Sequence, residues 1–91
     1  MATYYEILNT STNWLIRKGI NKNLAQNYIA ELFLSLSQDA VNKRSQGFKK
    51  LVAESQTPKG LNMQVLNELK RGKFFSKFAK ALENVNKRVS K

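Results

Sequence analysis

The sequence predicts an all-α, five-helix domain. Three observations predict it. The chain has one proline in 91 residues. Apolar residues recur at every third or fourth position, the period of a helix face. Alternating β-branched runs, which would mark half-buried strands, are scarce. The length allows one domain with a small core. A chain of this size buries roughly 60–65% of its unfolded surface, so folding alone is marginal and association would help.

The first helix is expected over Thr3–Lys18. It carries Tyr4, Ile7, Leu8, Ser11, Trp14 and Leu15 at helical spacing. Thr3 with Glu6 three residues on reads as a capping box. Arg17 and Lys18 suit the negative end of the helix, and Gly19 is its stop. The second helix should begin near Asn21 and run to about Lys43. Leu24, Ala25, Tyr28, Ile29, Leu32, Phe33, Leu36 and Ala40 form its stripe, and Leu34 lies off it. A helix apolar on more than one face is covered from several sides. It is either the interior helix of a monomeric bundle or half of a dimer interface. The short chain favours the interface, through Ile29, Leu32, Phe33, Leu34 and Leu36.

Ser45 could cap a short third helix holding Phe48, Leu51 and Val52, ended by Gln56-Thr57-Pro58. Pro58 disfavours the helical region for Thr57 and lacks an N–H. Thr57-Pro58-Lys59-Gly60 reads as a turn. A fourth helix spans Leu61–Arg71, with Gly72 as its end or kink. The last starts near Phe74, with Phe75, Phe78, Ala79, Leu82, Val85 and Val89 on one face and most of its cations off it.

Composition excludes much chemistry. Cysteine and histidine are absent, which removes disulfides, thiol nucleophiles, imidazole bases and Cys/His zinc sites. The six carboxylates form no acid/base pair and no metal cluster, so no metal is expected. Glycines 19, 47, 60 and 72 spell neither a dinucleotide fingerprint nor a P-loop, so no cofactor site is expected in this chain. No apolar run is long enough to span a membrane, and the neutral-to-acidic N-terminus is not a signal peptide.

The net charge of +10 is lopsided. In residues 1–42, Arg17, Lys18 and Lys22 balance Glu6, Glu31 and Asp39. The whole surplus lies in residues 43–91. Such asymmetry suits an anionic partner. A free-standing basic module for nucleic acid or another polyanion is therefore one reading. No helix-turn-helix spacing or RNA-binding signature accompanies it, so nucleic-acid binding is expected to be weak and without sequence preference.

The stretch Thr57-Pro58-Lys59-Gly60-Leu61-Asn62 is the breaker-rich segment of the chain, and it leads into a helix. Free amides at a helix start, a permissive glycine, the Lys59 charge and the Thr57 and Asn62 side chains can together hold an anion. The plainer alternative is an interhelical turn with Asn62 or Thr57 as a cap, and physics alone favours it.

Ala2 to Leu8, Lys18-Gly19-Ile20 and Ala25 resemble the first long helix, glycine stop and early small residue of a known domain. Phe48-Lys49-Lys50-Leu51-Val52 and Thr57 to Asn62 resemble its short helix and its Ser-Pro-Gly-Gly-Thr-Thr-type loop. Leu66-Asn67-Glu68-Leu69, Gly72, Phe78 to Ala81 and Arg88 resemble its last helix pair. The domain is the C-terminal dimerization domain of the pyrroline-5-carboxylate reductase family. The resemblance covers nearly the whole chain, and the loop is its specific part.

The resemblance implies helices interleaving in a homodimer and a cytoplasmic, NAD(P)H-dependent reductase of proline biosynthesis. A separate Rossmann domain, absent from residues 1–91, would bind the cofactor. The loop would place the substrate carboxylate, with Thr57, Lys59, Gly60, Leu61 and Asn62 as substrate-binding residues. Asn62 would stand at the position of the hydroxyl important for the reaction. Lys59 replaces a glycine, Leu61 a small residue and Asn62 a threonine. Asn can hydrogen-bond but does not reproduce a hydroxyl. A match starting almost at residue 1 makes a piece of a larger reductase the expected reading over a stand-alone domain. Such a piece is expected to be inactive alone.

Overall fold

The computed structural model describes residues 2–55 and 61–89. Among the described residues five α-helices follow in order: α1 (Ala2–Arg17), α2 (Lys22–Asn42), α3 (Phe48–Glu54), α4 (Leu61–Arg71) and α5 (Phe74–Val89). A 3-10 turn, Arg44–Gln46, separates α2 from α3. No strand occurs among the described residues, so the fold is all-α. The chain divides into two units, Met1–Phe48 and Lys49–Lys91.

In the first unit α1 packs on α2. The connection is set by two local devices. Gly19 has φ 99°, and the Gly19 N–H donates to the Ile16 carbonyl at 3.0 Å while the Ile20 N–H donates to the Leu15 carbonyl at 3.1 Å. This is a Schellman stop, which uses carbonyls the helix cannot satisfy itself. Two residues on, the Asn21 side chain accepts from the Asn23 N–H at 2.9 Å and the Leu24 N–H at 3.4 Å. It thereby caps α2.

Three expected details differ. Thr3 is not a cap, because α1 already begins at Ala2. Glu6 does not reach back; it accepts from Thr10 Oγ1, one turn ahead, at 3.3 Å. Ser45 does not cap α3, because it is used up in the 3-10 turn. There the Gln46 and Gly47 N–H groups donate to Lys43 and Arg44 carbonyls at 3.0 and 3.2 Å. Gly47, at φ 87° and ψ 142°, then makes a break that only glycine takes readily. Trp14, at helical spacing with the α1 stripe, lies outside the core. It is 53% exposed, with Lys18 Nζ 5.8 Å from its ring centroid. The apolar arc of α1 is wider than the strip that α2 covers, and Trp14 falls outside that strip.

In the second unit α4 packs on α5. The break between them is at Gly72-Lys73. Gly72 donates to the Glu68 carbonyl at 3.0 Å, and Lys73 donates to the Lys70 carbonyl at 3.0 Å. The left-handed residue is Lys73, at φ 61°. The Lys73 carbonyl then receives the Lys77 N–H at 2.9 Å, starting α5. Phe74 and Phe75 meet edge to face, with centroids 5.1 Å apart.

Candidate functional site

The apolar surface of α2 consists of two neighbouring rows, each stepping by four residues. Side chains four apart stack on one helix face, so each row is a ridge available for packing. The inner ridge is Ala25, Ile29 and Phe33. Ala25 is fully buried and Ile29 is 5% exposed; Thr12 of α1 is 8% exposed. Phe33 is half-buried. The small Ala25 and Thr12 belong to the inner surfaces of the pair, where little bulk lets two helices approach. Thr12 could have been found from its place one turn after Leu8 and one before Ile16, but its polarity hides it.

The outer ridge is Leu24, Tyr28, Leu32 and Leu36. Leu24 is 65% exposed and Tyr28 59% exposed, and Leu32 and Leu36 are also exposed. Leu34 and Val41 are exposed on the far side. Of the five residues expected at an interface, Ile29 is thus already used within the chain and Phe33 is partly used. Leu32, Leu34 and Leu36 remain open. The reason is geometric: α1 has 16 residues and α2 has 21. One neighbour covers one ridge of a helix that is apolar over much of its circumference.

A groove of about 230 Å³ runs between α1 and α2, lined by Leu8, Asn9, Thr12, Gln26, Ile29 and Ala30. Its lining has no titratable group and so offers no acid or base. The ion pairs Asp39–Lys43 at 3.3 Å and Lys50–Glu54 at 3.8 Å are exposed one-turn contacts. Pairs of this kind contribute a few tenths of a kcal/mol at most, roughly 0.3–0.5. No metal-binding cluster of carboxylates occurs among the described residues.

The expected substrate loop falls mostly outside the described residues: Thr57, Lys59 and Gly60 all lie there. Leu61 and Asn62 open α4. No helix among the described residues is long and apolar enough to cross a membrane.

A family model described as pyrroline-5-carboxylate reductase dimerisation matches residues 1–91. The chain belongs to that family. No curated protein and no solved structure matches it. Membership in a dimerisation family implies self-association, and the open ridge of α2 is a surface suited to it.

Proposed function

We infer that the chain is the dimerisation and substrate-loop domain of an NAD(P)H-dependent reductase of the pyrroline-5-carboxylate reductase type. The observation that carries the reading is the second ridge of α2, Leu24–Tyr28–Leu32–Leu36, left open beside a first ridge already filled. A second copy whose helices interleave with these would cover the ridge with one helix and Leu34, on the far side, with another. Family membership over the whole chain supports the same reading.

The nicotinamide cofactor belongs to a separate Rossmann domain in this proposal. The dinucleotide does not fit the present residues. Among those described there is no strand to lead into a phosphate turn, and Gly19 and Gly47 lie at helix and turn ends. No hydride step is therefore assigned to this chain. Its share is to hold a substrate carboxylate at the start of α4. The first amides of a helix have no intrahelical partner and carry its positive end. Lys59 adds a cation, and Thr57 and Asn62 add hydrogen-bonding side chains. The parent reaction is reduction of a cyclic imine to proline or a related step.

Two measurements test this. Light scattering at micromolar concentration should give twice the chain mass, and a fully helical monomer would overturn the dimer. In a protein carrying the Rossmann domain, Asn62→Ala should lower turnover and leave the dimer intact. Unchanged turnover with a less stable fold would reduce Asn62 to a helix cap.

A further inference from the structure

Helix α5 is divided lengthwise by charge. Phe75, Phe78, Leu82, Val85 and Val89 share one arc, and all are exposed. Lys77, Lys80, Lys87 and Arg88 share another, also exposed. At 3.6 residues per turn the two arcs are centred about 150° apart. None of the four cations is in an ion pair among the described residues; the pairs found there use Lys43 and Lys50. The neutral Asn84 lies within the cationic arc and Glu83 lies outside it. From Lys77 to Arg88 the row runs about 16 Å at 1.5 Å per residue. That length faces roughly five phosphates of one DNA strand at 3.4 Å each.

We propose that this cationic face of α5 is a sequence-independent docking surface for the phosphate backbone of nucleic acid. The surface does not depend on what covers the apolar arc, because the cations point away from that arc. The same geometry disfavours a lipid surface. A helix lying on a membrane inserts its apolar arc and needs its cations at the headgroup level beside it, whereas Lys80 and Lys87 are on the far side. Charge distribution agrees. Residues 1–42 are neutral overall, and the whole surplus of +10 is in the part of the chain containing α5. No base-reading arrangement accompanies the row, so the contact positions a backbone and does not read a sequence.

The experiment is fluorescence anisotropy of the full chain with labelled duplex DNA of about 20 bp at about 50 mM salt. Micromolar binding without sequence preference is expected, falling about 100-fold by about 200 mM salt for four phosphate contacts. Replacing Lys77, Lys80, Lys87 and Arg88 by Gln should abolish it, with helicity by circular dichroism retained. A control set, Lys18, Lys22, Lys43 and Lys49 to Gln, removes the same charge elsewhere and should change affinity by less than about threefold. Equal losses in both sets would show that net charge alone binds and would overturn the proposal. Absence of binding at low salt would overturn it too. So would tighter binding to phosphatidylserine-containing vesicles that is lost on Leu82→Asp but survives the four Gln substitutions in α5. Light scattering of the same samples reads the dimer separately, so a monomer that still binds DNA through α5 counts against the dimer only.

Discussion

Tyr4 stands edge-on to Phe33, with ring centroids 6.2 Å apart and planes at 83°. The contact joins the first turn of α1 to the middle of α2, while Thr12 shares its groove with Ile29 and Gln26. Residue numbers rise on one helix as they fall on the other, so the pair is antiparallel and this aromatic contact fixes its register. Edge-to-face pairs contribute about 0.5–1.5 kcal/mol beyond their buried area. A double-mutant cycle of Tyr4→Leu and Phe33→Leu in urea should return a coupling in that range. Strict additivity would show that the rings do not meet in solution.

Gly19 and Gly72 should respond differently to alanine. A side chain at Gly19 meets nothing within 4 Å, yet its φ of 99° is one that L residues rarely adopt. Gly19→Ala should cost about 1–2 kcal/mol through the backbone alone. At Gly72 an added Cβ makes ordinary contacts of 3.5 and 3.7 Å with the Glu68 and Leu69 carbonyl oxygens. Gly72→Ala should stay within about 0.5 kcal/mol of the parent. Chemical denaturation of both variants decides it.

Asn21→Ala should destabilise the chain by about 1 kcal/mol, since the Asn23 and Leu24 N–H groups lose their acceptor. Asn21→Asp keeps the acceptor and adds a negative charge at the positive end of α2, so it should restore the loss. Thermal melts followed at the helical band compare the three proteins. No loss in Asn21→Ala would show that the cap is not formed in solution.

Tyr28→Asp and Leu34→Asp should each convert the chain to a monomer or unfold it. Both side chains are exposed in the single chain, so the substitutions leave the Ala25–Ile29 core untouched. A charge trapped without a partner in a seam costs several kcal/mol, about 3–5. Light scattering reads the mass and circular dichroism the helicity. A variant that remains a fully helical dimer would place that residue outside the seam.

The helices were legible because their ends are written in local chemistry. Gly19 and Asn21 each act on the backbone within a few residues. Thr3 and Ser45 do not take the capping roles expected of them because a cap depends on where the neighbouring turn already ends. The 3-10 turn before Gly47 displaced one, and the start at Ala2 displaced the other. Gly72 is legible as the end of α4, but the positive φ at that break falls on Lys73, where sequence gives no sign of it because glycine is the default for that conformation. Periodicity showed that α2 is apolar on more than one face. It did not show which ridge α1 takes, because that choice rests on the small Ala25 and Thr12.

Ala25 and Ile29 are the apolar residues buried within the described chain, and so small a core ties stability to dilution. If folding is completed by a second copy, the unfolded fraction follows mass action, as for obligate dimers without a stable folded monomer. Each tenfold dilution then removes about 1.4 kcal/mol from the assembled state. The Tm should rise steadily with protein concentration, and at low concentration the chain should become open to proteases.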